Sequence, residues 1–201
     1  MEHTANHIEL IGALASAPVF SHDNHGRRFY SFTMEVARLS GTTDTLPILA
    51  SAELLSHTEA AEGSSLKITG QIRSFNNRAS DGRRLIISVL AETIEVCNAP
   101  HDNQVRLSGI ICKEPTYRRT PLGREICDIM LAVNRPYHRA DYLPCILWGR
   151  AAQEAAAWKV GTSVTLNGRL QSRAYIKLVD GNPEQRTAYE VSVISAEPNA
   201  E

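Results

Sequence analysis

The chain has 201 residues, 43% hydrophobic and 21% charged, with a formal net charge of −1. That composition indicates one large globular domain or two small ones. It excludes a membrane-spanning helix, because no apolar run approaches the roughly 18 residues one needs, and from the polar start, Met1 to Asn6, no secretory leader is expected.

The first half opens on "NHIELIGALASAPVF" from Asn6, continues through "ASAELLSHTEAAE", read as a short helix, and reaches "GSSLKITGQIRS" at Gly63 to Ser74. A short polar stretch near Cys97 to Asp102, "NAPHD", reads as a linker. Then the pattern returns. "NQVRLSGIICKEPTY" from Asn103 lies on the opening segment after a shift of 97, which places Leu107 on Leu10, Gly109 on Gly12, Pro115 on Pro18 and Tyr117 on Phe20. The same shift places Arg135 on Arg38 and Pro144 on Pro47. After one extra residue, "GTSVTLNGRLQS" (Gly161 to Ser172) lies on Gly63 to Ser74. Such a match in glycines, prolines and apolar positions marks an internal repeat.

In the second unit "QVRLSGIIC" and "REICDIMLAVNR" alternate apolar and polar residues, the period of half-buried strands. Pro121 to Gly123 supplies a turn between them, and "LPCILW" is a third strand. "GRAAQEAAAWK" is an Ala-rich helix with Trp158 on its packed side. "TSVTLNGRLQSRAY" and "TAYEVSVISAE" are strands four and five. A helix between strands three and four of a five-stranded barrel is the OB arrangement. The expected fold is therefore all-β: two tandem OB-fold five-stranded barrels, each with one short helix between strands three and four. The first domain covers 1–98 and the second 99–201.

The halves differ in charge. Residues 1–97 hold 8 Lys+Arg and 11 Asp+Glu, whereas 98–201 hold 13 and 11, so a polyanion should prefer the second half. Cys97, Cys112, Cys127 and Cys145 form no CxxC pair and read as reduced, half-buried small hydrophobes. That suits the cytoplasm. His22, Asp23 and His25 lack a further ligand, so no metal is expected. No Ser-His-Asp or Cys-His set and no Gly-rich phosphate loop is present, so neither a cofactor nor catalysis is expected.

On these residues the chain resembles the bacterial single-stranded DNA-binding protein family, closely over about 103–197 and more loosely over 6–96. The matching pieces are "NQVRLSGIICKEPTYRRTPLGREICDIMLAVNR", "CILWGRAAQEAAAWKVGTSVTLNGRLQSRAY" and "DGNPEQRTAYEV". The resemblance implies sequence-independent binding of single-stranded DNA, in replication, recombination or repair. An aromatic platform accepts the face of any base, and cations pair with phosphate. Carried over residue by residue, it assigns stacking to Tyr137, Tyr142, Trp148 and Tyr175. Around them lie Arg118, Arg119, Arg135, Arg139, Arg150, Arg169, Arg173 and Lys177, a basic stripe for phosphate.

In the first unit the same four positions hold Ser40, Thr45, Ser51 and Asn77. Its own aromatics, Phe20, Phe29, Tyr30, Phe32 and Phe75, fall mostly on alternating positions that suit a core. The first unit is thus expected to be mainly structural or oligomerising, although Arg73, Arg78, Arg83 and Arg84 could touch phosphate. Four barrels form the working unit that the resemblance implies, so two chains should make a homodimer. The sequence ends at "EPNAE" without an acidic tail, so recruitment of partners through one is not expected. The alternative reading is a primosome or replisome interaction scaffold.

Overall fold

The computed structural model describes residues 5–77, 84–179 and 181–199. The first half contains β1 (Asn6–Leu14), β2 (Val19–Asn24), β3 (Arg27–Ala37), β4 (Thr43–Ser51), α1 (Ala52–Ser56), β5 (Ser65–Asn77) and β6 (Arg84–Val96). The second half contains β7 (Asp102–Ile111), β8 (Thr116–Arg119), β9 (Glu125–Arg135), β10 (Arg139–Trp148), α2 (Gly149–Ala155), β11 (Ser163–Val179) and β12 (Asn182–Pro198).

Each half closes on itself. The order β3–β4–β6–β5–β1 returns to β3 because Ala13 and Leu14 also pair with Glu35 and Met34. The order β9–β10–β12–β11–β7 closes in the same way, through Ile110 and Ile111 on Ala132 and Leu131. Among the described residues, only β4–β6 and β10–β12 run parallel. Closure brings backbones very close. A Cβ on Gly12 would lie 2.3 Å from the Glu35 carbonyl oxygen, and one on Gly109 would lie 2.5 Å from that of Ala132. Both residues stand at the same place in the repeat, and only glycine fits there.

The two tandem OB barrels expected from the sequence are therefore present, each with its helix after the third barrel strand. Alternation drives the core: β1 buries every second residue, from Asn6 through Ile8 and Leu10 to Leu14. Trp158 packs against the core. The sequence reading missed β2 and β8. Both are exposed along their whole length and carry no alternation to betray them. The first helix is also shorter than expected, five residues, with only Leu54 and Leu55 packed on the core. Two further expectations are corrected. Only Phe32 among the first unit's aromatics is fully buried, whereas Phe20 and Phe75 are exposed. Cys127 and Cys145 are fully buried rather than half-buried, and burial pushes the Cys145 thiol strongly up.

The barrels join through β1 and β7, which pair antiparallel with Ile8 opposite Val105. These residues are equivalents in the repeat, 97 positions apart, so a pseudo-twofold axis passes through the pair. The polar contacts obey it. Asn6 holds the backbone N–H and C=O of Ile72 at 2.9 and 2.7 Å, and Asn103 does the same to Leu170 at 2.9 and 2.8 Å. Buried Asp141 accepts the Ser74 amide at 2.8 Å, and buried Asp44 accepts the Ser172 amide at 2.7 Å. Other contacts break the symmetry: His101 of the linker accepts the Ala37 amide on Nδ1 at 2.8 Å, and Arg73, whose counterpart is Gln171, donates to Asp141 at 3.1 Å.

Candidate nucleic-acid interface

The second barrel presents large rings to solvent. Trp148 ends β10 and is 40% exposed. Its indole Nε1–H donates to Ser192 Oγ on β12 at 3.1 Å, which fixes the ring over that strand. Period two along β11 sets Arg169, Arg173, Tyr175 and Lys177 on one face. Tyr175 is 37% exposed, and the Arg173 guanidinium carbon lies 5.9 Å from its ring centre, within cation–π range. Tyr142 on β10 is 46% exposed, and its amide donates to Ser74 Oγ of the first barrel at 2.7 Å.

Tyr137 is 91% exposed at the turn between β9 and β10. It and His138 adopt left-handed backbone, φ 63° and 54°, which is uncommon for bulky residues. Strain of this kind concentrates at binding and catalytic positions.

The cations divide into three groups. Arg118 pairs with Asp128 at 2.8 Å, Arg119 with Glu125 at 2.8 Å, Arg150 with Glu154 at 2.9 Å and Arg173 with Glu190 at 3.7 Å. Exposed pairs of this kind are worth about 0–1 kcal/mol, so a phosphate can displace the carboxylate at little cost. Arg139 and Lys177 are exposed and make no ion pair among the described residues. Arg135 and Arg169 sit apart from both sets. Arg135 faces buried Asp141 at 3.4 Å, opposite Arg73 at 3.1 Å, and so lies in the seam between the barrels. Arg169 lines an inter-barrel cleft of about 680 Å³ together with Arg38, Arg106 and His101, and its Nε is buried without a hydrogen-bond partner.

Glu125 collects the Tyr117 hydroxyl at 2.7 Å, Arg119 and the Gln153 amide. These bonds, the Tyr117 bond foremost, hold its carboxyl below the usual range. They tie the edge strand β8 and helix α2 to β9.

The first barrel has no ring at Ser40, Thr45 or Ser51, and its Arg73 is committed to Asp141. Arg78 and Arg83 lie outside the described residues. Sequence reasoning missed Asp44 and Asp141, the two carboxylates that clasp the barrels. The signal was available, since the shift of 97 superposes one on the other as it superposes Asn6 on Asn103.

The chain is similar to known single-stranded DNA-binding proteins. The model of the single-strand binding protein family matches residues 102–197. Single-stranded DNA-binding protein B of Bacillus subtilis is 38% identical over 80 residues, covering 36% of this chain and 71% of that protein. Single-stranded DNA-binding protein 3 of Listeria innocua is 35% identical over 91 residues, covering 42% and 54%. Against other curated relatives, including protein A of Bacillus subtilis, the match spans about half of their length. The crystal structure of wild-type single-stranded DNA-binding protein from Thermus aquaticus superposes with a TM-score of 0.79, covering 98% of this chain and 93% of that one at 20% identity. The fold is thus shared along nearly the whole chain.

Proposed function

The chain belongs to the single-strand binding protein family, and from that premise we propose that it binds single-stranded DNA without regard to sequence. Bases stack on Tyr137, Tyr142, Trp148 and Tyr175, and phosphates pair with Arg139, Lys177 and the displaceable Arg118, Arg119, Arg150 and Arg173. One observation carries the reading: all four of these rings reach solvent on the second barrel, while Ser40, Thr45 and Ser51 replace three of them at the equivalent positions of the first. Base–aromatic stacking is worth about 1–3 kcal/mol per base and tolerates any sequence, because every base has a π-face. Named relatives bind single-stranded DNA, which supports a non-catalytic role in replication, recombination or repair, in the cytoplasm where the DNA is.

The division at 98/99 gives a structural first domain and a binding second domain. Two chains, four barrels in all, form the proposed working unit, which light scattering tests. Titration with a dT oligonucleotide at two salt concentrations tests the binding. In a Trp158→Phe background the Trp148 fluorescence should quench, with an affinity that falls as salt rises. Absence of quenching and of binding would leave an interaction scaffold instead.

A further inference from the structure

The place that Trp148 fills in the second barrel is an open groove of about 460 Å³ in the first. Three substitutions within the repeat create it. Ser51 stands for Trp148. Leu90 stands for Ser192, the acceptor of the indole N–H, because Leu49 pairs with Leu90 as Ile146 pairs with Ser192. Glu53 stands for Arg150. Both halves of the Trp–Ser hydrogen bond are therefore missing, and an apolar floor of Phe29, Leu54 and Leu90 is uncovered.

The rim has changed sign as well. Glu53 and Glu92 border the groove against Arg27, which reaches Glu53 at 3.6 Å, with His57 beside them. Glu92 is the bulged residue of β6, and its counterpart at the β12 bulge is Ile194. At the corresponding positions the second barrel has Arg124 and Arg150 against Glu154. Two carboxylates against one guanidinium repel a phosphodiester, while the apolar floor remains sticky.

We infer that this groove is a docking site for a protein segment that carries an aromatic anchor flanked by lysine or arginine. The anchor takes the space of the missing indole, and the flanking cations meet Glu53 and Glu92. Buried aromatic anchors with complementary charge at the rim are the features that concentrate binding energy in interfaces. The first barrel would thus recruit protein while the second holds nucleic acid, and the two acts would use equivalent faces of one duplicated fold.

The test uses the full chain and a fluorescein-labelled peptide, Gly-Lys-Lys-Trp-Lys-Lys-Gly, with a Glu-for-Lys version as control. Anisotropy reports affinity, and methyl NMR of Leu54 and Leu90 reports location. The Lys peptide should shift both leucines and the Glu peptide should not. Ser51→Trp should refill the groove and weaken binding about 10-fold or more, equivalent to about 1.4 kcal/mol. That variant gives up the Ser51 cap of the Leu54 amide, but Trp148 begins α2 with no side-chain cap, so the barrel accommodates the change. Glu53→Arg leaves the cap in place and should weaken the peptide through charge alone. Three results would overturn the inference: no leucine shift at millimolar peptide, binding indifferent to both substitutions, or a dT oligonucleotide that shifts Leu54 and Leu90 in place of the peptide.

Discussion

The Ser74 amide in the first barrel donates to Asp141 in the second at 2.8 Å, and Ser74 Oγ in return accepts the Tyr142 amide at 2.7 Å. A fully buried carboxylate thus fixes the seam between the barrels next to a ring proposed for stacking. Removing one partner of a buried ion pair costs about 3–5 kcal/mol, because the remaining charge is left uncompensated. Asp141→Ala strands Arg73, Arg135 and the Ser74 amide together. It should cost about that much in chemical denaturation. Asp44→Ala should cost a similar amount by pseudo-symmetry, since it strands Arg38 and the Ser172 amide. A loss below about 1 kcal/mol, the worth of one ordinary hydrogen bond, would show the clasp to be ornamental.

The two barrels should respond unequally to loss of rings. Trp148→Ala and Tyr175→Ala should each weaken dT binding by about 1–3 kcal/mol. Phe20→Ala and Phe75→Ala remove exposed rings from the first barrel and should leave affinity unchanged within error, by anisotropy at fixed salt. Equal losses from both barrels would refute the division of labour.

Much of this was legible because the molecule is a duplication. The shift of 97 fixes strand order, helix position and the closing glycines, since Gly12 and Gly109 do one job at one register. The rings were legible for a different reason: the family resemblance points to their positions, and Trp148 and Tyr175 are exposed there. What the sequence hid was long-range pairing. Nothing local to Asp141 says that it caps an amide 67 residues away. Nothing local to Arg135 or Arg169 says that they face the seam and the inter-barrel cleft. Phe20 and Phe75 misled for a simpler reason: Phe20 lies in β2, which is exposed throughout and has no core behind it, and Phe75 falls on the outward register of β5 beside buried Ser74.

Acid should loosen the β8 edge. Glu125 is held below its ordinary range by the Tyr117 hydroxyl, then by Arg119 and Gln153. A depressed carboxyl contributes stability that is fully present above its unfolded-state pKa, ~4.3, and that is lost as pH falls through the lower folded-state value. Wild type should therefore lose this contribution only in strongly acidic solution. Glu125→Gln cannot be charged, so its Tm should fall less steeply than that of wild type between about pH 4.5 and pH 2.5. Parallel Tm curves for the two proteins would mean that the cluster adds nothing to stability.

Gly168 links the fold to the ring most directly. It sits at the β11–β12 bulge, where the register shifts beside Asn167, and a Cβ there would lie 2.4 Å from the Ser192 carbonyl oxygen. Ser192 is also the residue that holds the Trp148 indole. Gly168→Ala must therefore push β12 away from β11 at the acceptor itself. Overpacking a closed site costs about 1–3 kcal/mol, which denaturation would read. The more specific consequence is at the ring. With Ser192 displaced, Trp148 loses its anchor, so dT binding should weaken together with stability while Tyr175, further along β11, keeps its place. Gly70→Ala makes the same clash in the first barrel, 2.1 Å from the Leu90 carbonyl oxygen, with no ring attached. It should lower stability and leave Trp148 quenching intact. If the two substitutions lowered dT affinity alike, the bulge would be acting through global stability and not through the position of Trp148.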